Sequence, residues 1–285
     1  HGLMGQRYFL EKFNVMAKTG FNVDSFGHNA SLPQILKKSG IENYVFMRPM
    51  PEESDIKPYL FKWKSPDGSF VYAHRIPFAY NINEEKIDKL TDVKKMAERD
   101  EIPYMAFYGI GNHGGGPSIA LLDKICSIKG DEMIFSTTAE YFSAVKEFEL
   151  PVEETELQHH ARGCYGVNKK AKQNNRRCEA NVLTAERFCI MAKRAADNKY
   201  PQNNLNRAWE DILINQFHDV LAGTCEKEAY EGMDNLCGEA MSITEREINF
   251  ALQSIAAKID TLQGEKLPSY KRSSDESLQG WKIWE

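Results

Sequence analysis

The sequence predicts an α/β fold in which strand–helix–strand units build part of a parallel sheet, followed by an antiparallel bundle of three long helices. Three observations carry this expectation. Strand-like and helix-like stretches alternate through the first half of the chain. The character changes near Leu150-Pro151. From Asn168 onward helical periodicity dominates, broken only at Tyr200-Pro201-Gln202-Asn203 and at Gly223-Thr224. The boundary between the two parts is expected within residues 150 to 165.

Taken in order, Phe9, Phe13, Met16 and Ala17 fall at helical spacing within Leu3 to Lys18, with Gly20 as a stop. Phe21 to Asp24 reads as a buried strand. Ser31 before Pro33 opens a helix whose apolar stripe is Leu32, Ile35 and Leu36, and Asn43 to Met47 is a second strand closed by Arg48-Pro49. Such a unit is parallel and right-handed, so the carboxyl ends of its strands share one rim, where ligands bind in α/β folds. Tyr59 to Trp63 and Ser69 to Ile76 flank the turn Pro66-Asp67-Gly68 and read as a hairpin. Glu84 to Arg99 reads as a polar surface helix and Tyr104 to Tyr108 as a buried strand. That strand runs into a glycine-rich loop at Gly109 and a helix opened by Pro117-Ser118. Met133 to Phe135, and a helix capped at Thr137 or Thr138 and running through Val145, complete the α/β part. The three long helices follow over Asn168 to Asp197, Leu205 to Leu221 and Lys227 to Leu262.

Composition narrows the function classes. With 285 residues, 42% hydrophobic and 27% charged, the chain has the make-up of a globular protein with ample length for a core. A net charge of -5 argues against a nucleic-acid surface, and no apolar run approaches the roughly 18 residues of a membrane span. The six cysteines contain no Cys-x-x-Cys pair, which disfavours a zinc ribbon; reduced thiols in helices favour a cytoplasmic location. The chain opens directly in helical pattern at His1-Gly2, with no signal peptide to read. It therefore reads as an internal piece of a longer protein.

Three stretches carry chemistry. Asp24 and Arg48 each end a strand and should face one crevice. An Arg fork there would hold the carboxylate ionised in one orientation, or the pair is a structural ion pair. Gly109-Ile-Gly-Asn-His-Gly has the bare letters of a dinucleotide fingerprint, but its extra glycines and Pro117 fit that motif poorly, and a P-loop is excluded for want of Lys-Ser/Thr. Consecutive glycines let backbone approach a ligand, so the loop is expected to face substrate rather than merely to turn. His218 and Asp219 lie near the end of an apolar helix. They read either as a capped or core histidine, or as a metal-binding imidazole beside a hydroxyl-binding carboxylate. His159-His160 and Cys164 lack a spacing partner for a metal site.

Together, Phe21-Asn-Val-Asp-Ser-Phe-Gly-His-Asn-Ala-Ser-Leu-Pro33, Ile110-Gly-Asn-His-Gly-Gly-Gly-Pro117, Glu156-Leu-Gln-His-His-Ala-Arg-Gly-Cys-Tyr165 and Gln216-Phe-His-Asp219 resemble glycoside hydrolase family 38, the class II α-mannosidases, over about residues 3 to 265. The resemblance implies the latter part of an α/β barrel-like catalytic domain in residues 1–152. A three-helix middle domain would then occupy 153–265, with the start of a following segment in 266–285. It implies a retaining α-mannosidase with Asp24 as nucleophile and zinc ligand and His218 as its partner on the metal. Phe26 and Tyr80 would contact the sugar, Arg48 would orient Asp24, and Asp219 would bind a mannose hydroxyl. The cofactor implied is zinc or another divalent cation, and the substrate an α-mannoside or N-glycan-like oligosaccharide, with no nucleic acid or membrane partner and homo-oligomerisation left open. The family draws two further zinc ligands from a His-x-Asp motif that does not occur here before Asp24. Where many relatives carry a loop Asp as acid/base this chain has Asn112-His113, so His113 is the residue suited to that proton transfer at neutral pH. The competing readings are a carbohydrate-binding or scaffold piece with an incomplete zinc site, and a nucleotide-binding oxidoreductase resting on the glycine loop alone.

Overall fold

The computed structural model describes residues 1–111, 116–158, 161–260 and 264. Two compact units emerge: His1–Gln173 with Asn215–Met233, and Asn174–Ile214 with the residues from Asp234 onward.

The first unit is built on a five-stranded mixed sheet of order β1-β2-β4-β3-β5, formed by Thr19–Asn22 (β1), Asn43–Phe46 (β2), Leu60–Lys64 (β3), Phe70–Arg75 (β4) and Val152–Glu153 (β5). Strands β1, β2 and β4 run parallel in that order. The expected hairpin pairs β3 antiparallel to β4, and β5 adds in parallel to β3. The hairpin turn closes as its sequence requires: Gly68 sits at φ 87°, where a side chain would be strained, and the Asp67 carboxylate accepts the Ser69 N–H at 3.0 Å.

Alternation along β2 divides the core. Tyr44 and Phe46 pack with Phe61, Trp63, Val71 and Leu36 of helix α2 (Leu32–Lys38), while Val45 and Met47 pack with Leu60, Ile76 and the Tyr141, Phe142 and Val145 side chains of α5 (Thr138–Val145). A strand covered on both faces has no polar side to spare, which is why Asn43–Phe46 is buried throughout. Each large apolar side chain withdrawn from water there contributes about 1.5–3 kcal/mol. Helix α5 starts in a full capping box, Thr137 and Glu140 each bonding the other's backbone N–H.

Several elements differ from expectation for local reasons. Helix α1 covers Gly2–Phe13 and stops at Asn14, which takes the left-handed conformation and returns its N–H to Leu10. Strand β1 ends at Asn22, and Phe21 is exposed at the sheet edge rather than buried, its ring 5.6 Å from that of Phe107. Tyr104 to Tyr108 forms no extended ladder. The Met105 N–H is diverted to His74 Nε2 at 3.2 Å, and only Tyr108 makes a bridge, to Ile82. Met133 to Phe135 is irregular. The polar helix expected over Glu84 to Arg99 is a short 3₁₀ turn, Glu84–Lys86, followed by α3 (Asp88–Asp100); Ser118 caps α4 (Ile119–Ile128).

The second unit holds most of α6 (Lys169–Ala196), α7 (Gln202–Asn215, to Ile214) and α9 (Lys227–Ala256, from Asp234). Cross-helix bonds fix the directions. Asn174 to Asp234, Asn181 to Thr244 and Asn198 to Ser254 climb α6 and α9 together, whereas Asn204 to Glu247 and Arg207 to Glu239 run α7 the opposite way. Consecutive long helices therefore alternate up, down and up, as short connections demand.

Candidate active site

The segment after β1 is held by small groups rather than by regular structure. Asp24 lies two residues past the strand and is half-buried. The Ser25 hydroxyl donates to the Gly27 carbonyl at 2.8 Å. Gly27 leaves no room for a side chain, since a Cβ there would lie 2.9 Å from the Tyr165 hydroxyl and 3.2 Å from Gln158 Cα. His28 is buried, and its backbone N–H and C=O pair with Leu157 at 2.9 and 2.8 Å. Its Nε2 lies 3.0 Å from the Arg48 carbonyl, which can only accept, so that nitrogen carries the proton. Nδ1 then accepts from the Tyr44 hydroxyl at 2.8 Å. Burial pushes the imidazole pKa down to about 4, so His28 is a neutral linker between β2 and the Asp24 segment.

The helix expected to run through Leu221 is broken. Helix α7 ends at Asn215, Phe217 adopts φ -53° and ψ 142°, and a separate short helix α8 covers His218–Ala222. His218 therefore opens a helix instead of lying near the end of one. The expected stop is present, with Gly223 at φ 91° returning its N–H to Asp219 and Val220. Within the first unit the His218 ring lies 6.3 Å from that of Phe26 and 4.1 Å from that of Phe217. Its Nε2 is 3.5 Å from Asp219 Oδ2, and Asp219 Oδ1 accepts from the Thr224 hydroxyl at 2.9 Å. The His218 and Asp219 side chains retain 32% and 42% exposure, enough for a ligand to reach both. His1 also reaches this stretch, Nε2 to Gln216 Oε1 at 2.9 Å.

The fold thus brings Phe26, two residues after Asp24, to His218, which Asp219 follows in the chain. Arg48 is tied to the same loop through its backbone carbonyl; among the described residues no hydrogen bond or ion pair joins its guanidinium to Asp24. Tyr80 stands beside the start of the glycine loop, where a Cβ at Gly111 would meet its hydroxyl at 3.0 Å and Asn81 Nδ2 at 2.7 Å. His113 and the pair His159-His160 lie outside the described residues. His28 and Tyr44 were missed as supports of the site. A histidine four residues after a strand-end acid was the only signal for them.

Asp24 and His218 offer oxygen and imidazole donors, which suit zinc. A zinc shell takes four ligands, and among the described residues no group of three or more His, Cys, Asp or Glu side chains is placed to hold a metal ion. The donors fit part of such a site and do not close it.

Residues 2–162 match the family model for the glycosyl hydrolases family 38 N-terminal domain, and residues 159–255 match that for the alpha mannosidase middle domain. The chain belongs to glycosyl hydrolase family 38. Among curated relatives it is 29% identical over 240 residues to alpha-mannosidase G of Dictyostelium discoideum and 30% identical over 235 residues to alpha-mannosidase 2C1 of Homo sapiens, covering 80% and 78% of this chain. It spans 22% of the length of each of these relatives. The crystal structure of an alpha-mannosidase from Enterococcus faecalis V583 superposes on 91% of this chain and 32% of its own, with a TM-score of 0.73 at 21% identity, a likeness of fold. Family 38 membership accounts for the sheet unit and the helical unit occurring in this order, and for both ends of the candidate site lying in the stretch matched by the two models.

Proposed function

We propose that this chain forms part of the catalytic core of a zinc-dependent, retaining α-mannosidase. The observation that carries the reading is the 6.3 Å approach of the Phe26 and His218 rings, which sets the Asp24 segment beside the His218-Asp219 pair in a family 38 chain. In this reading the Asp24 carboxylate attacks the anomeric carbon of a terminal α-mannoside as the glycosidic bond breaks, giving a glycosyl ester. His113 protonates the departing oxygen and then takes a proton from the water that hydrolyses the ester. Phe26 and Tyr80 stack along the sugar, Asp219 accepts from a ring hydroxyl, and Arg48 shapes the loop that carries Asp24. Zinc, or another divalent cation, would supply positive charge at vicinal hydroxyls when bound. Asp24 and His218 would hold it together with ligands beyond the described residues.

The test is hydrolysis of an aryl α-mannoside by the full-length protein. Asp24→Ala should lower kcat by about a thousandfold or more, roughly 4 kcal/mol of barrier, and a chelator should abolish turnover. Activity untouched by both sinks the reading. One observation favours a second reading, a carbohydrate-binding piece without turnover: the donor set is incomplete among the described residues. Mannose binding by the full-length protein with no hydrolysis would support it.

A further inference from the structure

The short helix that carries His218 is fastened at its far end by a residue outside the family resemblance's named motifs. Asn168, at φ 47°, accepts the Ala171 N–H at 3.2 Å and starts α6. Lys172 follows one turn in. Its ammonium donates to the carbonyls of Leu221 at 3.0 Å and Ala222 at 3.3 Å, and to that of Val167. Among the described residues no carboxylate pairs with it, and the groups there that meet its charge are these three carbonyls. Two of them sit at the carboxyl end of α8, where a helix favours a cation. Gly223 completes the seat. A Cβ there would stand 2.9 Å from Val167 Cγ1 and 3.0 Å from Asn168 Cβ, so the chain after α8 lies directly against residues 167 and 168.

A five-residue helix has almost no stability of its own, because nucleation consumes about as much order as it returns in hydrogen bonds. The position of its first residues is therefore set by what holds its last. We infer that Lys172 is a positioning residue for the site proposed above, holding α8 so that His218 and Asp219 face the Asp24 segment. The inference rests on that reading for its catalytic consequence, and on the contacts alone for the clamp.

Two variants of the full-length protein test it, Lys172→Met, which keeps the stem and removes the donors, and Lys172→Arg, which keeps the charge. In Lys172→Met the amides of Gly223 and Thr224, both bonded to the Asp219 carbonyl, should exchange with solvent about tenfold faster, the scale of one lost charge-assisted hydrogen bond. KM for an aryl α-mannoside should rise and zinc retention in equilibrium dialysis should fall, each by about tenfold for the same reason, with kcat less affected. Lys172→Arg should restore all three. Unchanged amide exchange in Lys172→Met overturns the inference, as does faster exchange with KM and zinc retention both at wild-type values. If the wild-type protein neither hydrolyses α-mannosides nor retains zinc, it is the functional reading that fails, and amide exchange alone then decides whether Lys172 holds α8.

Discussion

Acidification should loosen the sheet unit through His28, and replacing that residue should remove a defined part of the effect. His28 is neutral in the folded protein because burial lowers its pKa from 6.5 to about 4, while in the unfolded chain it regains the ordinary value. Between those values the unfolded chain binds a proton that the native protein does not, so stability rises with pH across the window and is lost as pH falls through it. The slope rises from about 0.7 kcal/mol per pH unit at pH 6.5, where the unfolded imidazole is half protonated, to about 1.2 at pH 5, which makes that step worth about 1.6 kcal/mol for this residue. His74, fully buried and lowered to about 3, adds a contribution of the same sign. In His28→Gln the amide can donate to the Arg48 carbonyl and accept from Tyr44 without titrating, so the fold should survive with a loss of about 1–2 kcal/mol at pH 7. Urea unfolding at pH 6.5, 6.0, 5.5 and 5.0, with β2 amide protection as the probe, gives the slope for each protein. The wild type should be steeper than the variant by about 1 kcal/mol per pH unit averaged over this range. Equal slopes would refute the claim that a neutral His28 links β2 to the Asp24 segment.

Two further outcomes follow from packing and charge elsewhere. Gly27→Ala must push against the Tyr165 hydroxyl and the Gln158 backbone, at a cost of about 1–3 kcal/mol, and should lower kcat/KM more than it lowers the melting temperature because the strain falls on the Asp24 segment. In the second unit the Asp211 carboxyl is buried with neither oxygen hydrogen-bonded, and burial raises its pKa. A raised acid is penalised when charged, so its contribution is favourable at low pH and is lost as pH rises. Asp211→Asn should therefore stabilise the unit at pH 7 by about 1 kcal/mol, with the gain shrinking as pH falls toward the carboxyl range. Arg207, the partner of Asp211 at 3.3 Å, keeps its bridge to Glu239 in that variant.

The parts of the fold that the sequence disclosed are those in which side-chain pattern and backbone hydrogen bonding agree. Asn43–Phe46 is buried at every position because both of its faces are covered. Pro66-Asp67-Gly68 turns because Gly68 must, and Thr137 with Glu140 three residues later can only be a helix start. The expectations that failed are those in which a side chain intercepts a backbone group. The run from Tyr104 has the letters of a buried strand, but His74 takes the Met105 N–H and the ladder does not form. Phe21 is apolar and strand-forming, yet β1 is an edge strand and the ring is exposed. No single-chain periodicity distinguishes these cases, because each depends on a residue about thirty positions away or on the order of strands in the sheet.

The same distinction applies to the candidate site. Asp24, Phe26, His218 and Asp219 are singled out for the proposed site because each is a chemically informative residue just after a strand or at the start of a short helix. What holds their segments is not singled out in that way, since His28, Tyr44 and Lys172 are ordinary letters inside or beside such elements. The break at Phe217 shows why this matters. Read as one long helix, Leu205 to Leu221 would carry His218 rigidly on the direction of α7. Split there, His218 opens an independent turn whose direction is set by Gly223 and by Lys172, some fifty residues earlier in the chain. A candidate site residue can thus be picked out locally, while its orientation depends on distant backbone carbonyls and the cation that gathers them.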